Sequence, residues 1–331
     1  MGAHFSSMWS QFFPPKPAFT EANVPDLSGK VYLVTGANTG VGKQLVQLLY
    51  SKNAKVYVAA RSEEKASEAM EDIKKSHPAS SGTLDFLHLD LNDLSAVKAS
   101  AEKFLSMETK LHVLFNNAGV QNLNKSAPTA QGYEHHLGIN TVAPYLFTKL
   151  LTPVLASTAK LEKSTSGFVR VIWVSSQATE LTGLKSIGLE INNLDYHKHE
   201  SDITKYGMSK VGNWLHGVEY AKRHKADGII SIPLNPGNLT SDLYRDNKNM
   251  GISVIVNFLG YPPIEGAYTE LYAGLSPDIT LKNTGSWVIP FGRIAEIRKD
   301  LQEATRSEAE GGNGTAAKFW DWTEEQIKPY V

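Results

Sequence analysis

Short runs of β-branched and aromatic residues recur along this chain, near 30–35, 55–60, 83–89, 111–116, 168–175, 228–234 and 285–289. They are separated by stretches in which apolar residues return every three or four positions. The runs fit buried strands, and the stretches fit amphipathic helices. Strands that alternate with helices are joined by right-handed crossovers, which places them in one parallel sheet. The expectation is an α/β chain, a doubly wound parallel sheet of about seven strands with helices on both faces. The long helix after Gln131 should carry Asn140 and run past Pro144, where the missing N–H and the ring favour a kink. Residues 11–29, with Pro14, Pro15, Pro17 and Pro25, read as an extended arm. No internal repeat interrupts the pattern, and 331 residues suit one domain, with an arm at 1–29 and an extension at 291–331.

The first strand meets the first helix in Thr35-Gly36-Ala37-Asn38-Thr39-Gly40-Val41-Gly42. Glycine at such a junction leaves the backbone bare, so a pyrophosphate can approach free N–H groups at the positive end of the helix dipole. The spacing Gly-x-x-x-Gly-x-Gly differs from Gly-x-Gly-x-x-Gly, so the physical reasoning transfers while that fingerprint does not. A tight turn that only lets helix pack on strand is the plain alternative. The second strand, Lys55-Val56-Tyr57-Val58-Ala59-Ala60, ends at Arg61-Ser62, 19 residues past Gly42, where a Rossmann-type dinucleotide fold reads the adenine ribose. No carboxylate stands there to bind a 2′-hydroxyl, and the Arg61 guanidinium can pair with a 2′-phosphate in bidentate fashion. NADPH is favoured over NADH on this ground; the alternative is a solvated arginine that opens the next helix.

Composition narrows the picture further. A net charge of −1 supplies no basic field for nucleic acid. The absence of cysteine removes disulfides, thiolate nucleophiles and cysteine metal sites together. His135-His136 and His197-x-His199 lack a third ligand at metal spacing, so no metal is expected. No run of about 18 apolar residues and no signal segment occurs, which points to a cytoplasmic protein without a stable membrane anchor. Met1-Gly2-Ala3-His4-Phe5-Ser6 satisfies the bare N-myristoylation pattern but lacks the polybasic run that a single acyl chain needs.

Together with Tyr206-Gly207-Met208-Ser209-Lys210, these motifs give a chain that resembles the short-chain dehydrogenase/reductase family over roughly residues 28–290. Asp90, in Leu87-His88-Leu89-Asp90-Leu91, matches the aspartate that contacts the adenine ring. Asn116-Asn117-Ala118-Gly119 matches the motif that ends the fourth strand and supports the sheet. Asn140, Ser176, Tyr206 and Lys210 match the catalytic tetrad; Ser175, one position earlier, competes with Ser176. Pro236-Gly237 matches the pair beside the nicotinamide, and Ser241 falls where a threonine commonly bonds the carboxamide. The resemblance implies cofactor contacts from Gly36, Asn38, Thr39, Gly40, Val41, Gly42, Arg61, Ser62, Asp90, Leu91, Asn117, Ala118, Gly119, Tyr206, Lys210, Pro236, Gly237, Leu239 and Ser241. Thr-Gly-Ala-Asn-Thr-Gly, Ala-Ala-Arg and the Trp-rich end look most like retinol-dehydrogenase-like and fungal-type reductases.

The implied chemistry can be argued independently. Hydride transfer to a carbonyl carbon builds negative charge on its oxygen, so the site must deliver a proton or strong hydrogen bonds there. Tyrosine, with a pKa of about 10, is too weak a base for the reverse reaction unless its phenolate is stabilised. Lys210 stands one helical turn past Tyr206 on the same face and brings a cation to it. In the family this lysine also bonds the nicotinamide ribose, the serine holds the carbonyl oxygen, and the asparagine holds a water that leads to solvent.

Three departures bear on substrate. Ser176 and Tyr206 are 30 residues apart, which leaves room for an inserted loop whose Leu181, Leu184, Ile187, Leu189 and Ile191 could wall the active-site mouth. After Pro236-Gly237, Tyr244, Met250, Ile252, Val254, Ile255, Phe258, Leu259 and Tyr261 form either an apolar lid or a buried helix or dimer interface. Residues 291–331, with Phe319, Trp320, Trp322 and Tyr330, could cover the site, pack on the sheet edge or meet another subunit. The reading is an NADPH-dependent carbonyl reductase or alcohol dehydrogenase acting on a hydrophobic ketone, aldehyde or secondary alcohol, with a homodimer as a possible assembly. The competing readings are a non-catalytic NADP(H)-binding sensor or scaffold and an NAD-dependent alcohol dehydrogenase.

Overall fold

The computed structural model describes residues 8–121, 127–162, 169–240 and 260–331. Its strands are β1 (Val31–Thr35), β2 (Lys55–Ala60), β3 (Thr83–His88), β4 (Val113–Asn116), β5 (Arg170–Val174), β6 (Ile230–Leu234), β7 (Trp287–Ile289) and β8 (Arg293–Ala295). They form one sheet in the order β3-β2-β1-β4-β5-β6-β7-β8. The seven expected strands are present and parallel, while β8 returns antiparallel with Val288 opposite Ile294. Unlike Trp287-Val288-Ile289 in β7, Arg293-Ile294-Ala295 offers one large apolar residue and no apolar run, so β8 was not legible in the sequence. The longer helices are α1 (Gly40–Ser51), α2 (Glu63–Ser76), α3 (Leu94–Met107), α4 (Ala143–Leu161), α5 (Asp202–His224), α6 (Pro263–Leu275) and α7 (Thr315–Ile327).

The strands alternate their side chains between two cores. Val31, Leu33, Tyr57, Ala59, Val171 and Trp173 pack with α3, α4 and α5, while Tyr32, Val34, Val56, Val58, Ile172 and Val174 pack with α1, α2 and α6. Both faces are buried, as a parallel sheet requires. The strand order runs outward in two directions from the β1–β4 boundary, and a crevice opens there beyond the carboxyl ends of the strands.

Two local expectations are refined. The helix after Gln131 starts at His135, carries Asn140 and runs past Pro144 as expected, but its turn at Gly138–Val142 is π-helical before it continues as α4. The Ala143 N–H bonds the Gly138 carbonyl, five residues back. Widening the turn in this way accommodates Pro144, which cannot donate and whose ring would crowd a regular i−4 carbonyl. The N-terminal arm is not wholly extended: residues 8–12 are helical, and a 3₁₀ turn at Glu21–Asn23 is closed reciprocally by Thr20 and Asn23.

The C-terminal extension adds β8 to the sheet edge and lays α7 over α4 and α5. Phe319 is fully buried and stacks on His216 with centroids 4.7 Å apart. Burial pushes the His216 imidazole down to about 3, so the ring is neutral, and its Nε2 lies 3.0 Å from the Thr323 hydroxyl. Lys149 pairs with Glu324 at 2.9 Å. Phe319→Ala should lower stability by about 3–5 kcal/mol, read from urea denaturation, without changing nucleotide affinity, because α7 contributes no wall to the crevice among the described residues.

Candidate active site

The crevice has a volume of about 550 Å³. Its near wall is the turn from β1 into α1, which presses directly on the end of β4. A Cβ on Gly36, where φ is +64°, would lie 2.9 Å from the Ala118 Cα, and one on Gly42 would lie 2.5 Å from the Asn117 Nδ2. The Asn117 amide donates to the Thr35 carbonyl at 2.7 Å, and the Ala118 N–H donates to the Thr35 hydroxyl at 2.9 Å. Thr39 precedes α1 and gives it no side-chain cap. The first turn of α1 is thus left to bind an anion from the crevice, so these residues fit the diphosphate of a dinucleotide.

Most of the predicted residues share this crevice. Gly36, Asn38, Thr39, Gly40, Val41, Gly42, Arg61, Asp90, Leu91, Asn117, Ala118, Gly119, Ser176, Tyr206, Lys210, Pro236, Gly237 and Leu239 all line it. Arg61 is exposed at the end of β2. Ser62 is not part of the lining; its hydroxyl caps α2 by accepting from the Lys65 N–H at 3.3 Å. Ser241 and the segment from Tyr244 to Leu259 lie outside the described residues, as do the first residues of the chain.

The two serines separate by their partners. The Ser175 hydroxyl is buried between the Thr179 hydroxyl at 2.7 Å and the Lys210 carbonyl at 2.6 Å, whereas Ser176 is partly exposed and its oxygen accepts from the Ala178 N–H at 3.2 Å. Ser175 braces the helix, and Ser176 keeps a hydroxyl proton to donate. The Lys210 Nζ lies 5.9 Å from the Tyr206 ring centroid and donates to the Val174 carbonyl at 2.9 Å. Burial pulls its ammonium down to about 8, and Glu270 opposes this shift as it ionises. Asn140 is buried behind the crevice. Its Oδ1 accepts from the Val120 N–H at 2.8 Å, and its Nδ2 donates to the Ser209 hydroxyl at 2.9 Å and the Val120 carbonyl at 3.0 Å. A Cβ on Gly119 would lie 3.1 Å from the Lys210 Nζ and 3.4 Å from the Asn140 Oδ1, so the absence of a side chain there lets the lysine and the asparagine converge.

The structure adds groups that the motifs did not indicate. Gln121, His135 and Glu270 also line the crevice. Gln11, 1 % exposed, inserts from the N-terminal arm, donating to Glu180 at 2.7 Å and accepting from Asn235 at 2.9 Å. Asn235 in turn accepts from the Gly237 N–H at 3.0 Å, and Glu180 accepts from the Arg298 N–H at 2.9 Å. One buried amide thereby ties the segment after Ser176 to the loop of Pro236 and Gly237. Contacts across 169 and 224 residues leave no mark in local sequence. The inserted loop divides: Leu189 enters the core and Ile191 packs against it, while Leu181, Leu184 and Ile187 are exposed and do not line the crevice.

The sheet order, the crevice at its switch point and the glycine turn define a dinucleotide-binding fold of the Rossmann type. A family model described as short chain dehydrogenase matches residues 30–187. A short-chain dehydrogenase/reductase from Neocamarosporium betae is 53% identical over 329 residues, covering 98% of this chain and 94% of that protein. Another from Phomopsis amygdali is 55% identical over 327 residues, covering 98% and 97%. The chain belongs to the short-chain dehydrogenase/reductase family. Its fold is also similar to the crystal structure of NADPH-bound carbonyl reductase from chicken fatty liver, with a TM-score of 0.58 at 22% identity over 79% of this chain and 96% of that one.

Gln11→Ala leaves the Asn235 amide and a Glu180 oxygen without their buried partner. Stability should fall by about 1–3 kcal/mol in chemical denaturation, and Gln11→Glu, which sets a second carboxylate against Glu180, should cost at least as much.

Proposed function

We propose that this protein is an NADPH-dependent carbonyl reductase that interconverts a hydrophobic ketone or aldehyde and its alcohol, with Ser176, Tyr206 and Lys210 as its catalytic residues. The observation that carries the reading is that Ser176, Tyr206 and Lys210 share one crevice with the bare glycine turn and with Arg61. The cofactor, when bound, supplies the hydride. Gly36, Asn38, Thr39, Gly40, Val41 and Gly42 would hold its diphosphate against the first turn of α1, and Asp90 and Leu91 would hold its adenine end. Arg61, exposed at the end of β2, would pair with a 2′-phosphate, and no carboxylate occupies that position to select a 2′-hydroxyl.

The chain's own groups manage the proton. Tyr206 donates from its hydroxyl to the oxygen on which charge develops, and Ser176 donates a second hydrogen bond to the same oxygen. Near neutral pH the Lys210 ammonium is still mostly charged and stabilises the phenolate left behind. Asn140 acts at one remove, by holding Val120 and Ser209 in place around Lys210. Val120, Ile139, Val174 and Leu239 give the reacting end an apolar wall, which suits a hydrophobic carbonyl compound. NADPH in the chicken carbonyl reductase of like fold supports the choice of cofactor. We place the enzyme in the cytoplasm.

NADPH oxidation followed at 340 nm against a panel of hydrophobic ketones and aldehydes tests the reading. Tyr206→Phe should lower kcat by about 10²–10⁴-fold while the Kd for NADPH stays within a few-fold, whereas an unchanged kcat would remove Tyr206 from the chemistry. Arg61→Ala should weaken NADPH by about 10–100-fold and leave NADH unaffected; equal losses for both would show that Arg61 does not read the 2′-phosphate.

A further inference from the structure

Glu270 stands on α6 in the middle of the core and is fully buried. Neither of its carboxyl oxygens has a hydrogen-bond partner among the described residues, yet it lines the same crevice as Lys210. Its neighbour Thr269 bonds the Pro236 carbonyl at 3.4 Å, which sets this part of α6 against the loop of Pro236 and Gly237. An unpartnered buried carboxyl is costly, and a core position between Thr269 and Leu271 could carry an apolar residue without that cost. Its position in the crevice implies a ligand group that repays the burial.

The charged surroundings are sparse. Helix α6 packs against α1, β4, β5, β6 and β7. From α1 come Lys43, engaged with Asp72 at 2.9 Å, and Tyr50. From β5 comes Arg170, whose guanidinium is held by the carbonyls of Ala273, Ser276 and Ile279. Strands β4, β6 and β7 bring no titratable side chain, and α6 itself carries Glu265, Tyr268 and Tyr272. Among the described residues, the charge that acts on Glu270 is that of Lys210. Burial raises the carboxyl to about 8, against the pull of Lys210, so the free protein holds it largely neutral at neutral pH.

We propose that Glu270 reads the redox state of the cofactor: its carboxylate favours the oxidised nicotinamide ring, which is a cation, over the reduced ring, which is neutral. The proposal rests on the functional reading above and adds to it a residue outside the family motifs. A cation entering this low-dielectric end of the crevice stabilises the ionised carboxyl, so binding the oxidised nucleotide releases a proton. Its affinity therefore rises with pH through the interval below the raised titration of Glu270 in the free protein and levels off above it. The reduced nucleotide brings no ring charge and lacks this dependence. Effects of the 2′-phosphate and Arg61 are common to both forms and cancel in their ratio.

The test measures Kd for NADP⁺ and NADPH separately, from pH 6 to 9 and with no substrate present, in the unchanged protein and in Glu270→Gln. In the unchanged protein the preference for NADP⁺ should grow about tenfold across that range. In Glu270→Gln most of that growth should vanish, and calorimetry in two buffers of different ionisation enthalpy should show correspondingly less proton release. Glu270→Leu, which needs no buried partner, provides the same readout should the glutamine variant fail to fold. A ratio and slope unaltered in the variant would overturn the proposal and assign any pH dependence to Lys210. An equal loss of affinity for both forms would also overturn it, making Glu270 merely structural. Failure of either nucleotide to bind the unchanged protein would instead overturn the functional reading, and this one with it.

Discussion

The architecture of the site depends on one close approach, that of the β1–α1 turn to the end of β4. Gly36 and Gly42 have no room for a Cβ because Ala118, Asn117 and the Gly36 carbonyl already occupy that space. The tightness has two consequences. It locks the two central strands together through the Asn117 amide and the Thr35 hydroxyl, and it brings the first turn of α1 to the mouth of the crevice without an intervening side chain. A fold that packs its central junction so closely obtains an anion site from the same geometry.

Burial does the second part of the work. Lys210 is almost wholly enclosed, held by the Val174 carbonyl and flanked by Asn140 across the bare Gly119. Desolvation lowers its affinity for a proton, and Glu270 pulls the other way as it ionises. A lysine so balanced stays charged near neutrality but responds to any charge that enters the crevice. The reacting end of the crevice is thus electrically sensitive, whereas Arg61 at the other end is exposed to solvent.

The N- and C-terminal segments have different relations to this centre. Helix α7 and β8 thicken the scaffold away from the crevice, burying Phe319 and Trp320 over α4 and α5. The N-terminal arm reaches the site itself through Gln11, whose amide spans Glu180 and Asn235. The loop bearing Pro236 and Gly237 is therefore positioned partly by a residue more than two hundred positions earlier.

Sequence alone determined the seven parallel strands, the glycine turn, the Tyr206–Lys210 pair and the absence of an acidic residue at Arg61. Each of these is written in short-range pattern: a period of two or of three to four, a bare backbone at one junction, or two side chains one helical turn apart. Tertiary structure decided that Ser176 faces the crevice while Ser175 turns inward, that Ser62 caps a helix, that Asn140 holds backbone behind Lys210, and that the break near Pro144 is a π-helical turn. It also decided the places of Gln11, Glu270 and Leu189. These outcomes depend on which atoms become neighbours when distant segments pack, and on how much water that packing excludes. Local periodicity carries no information about either.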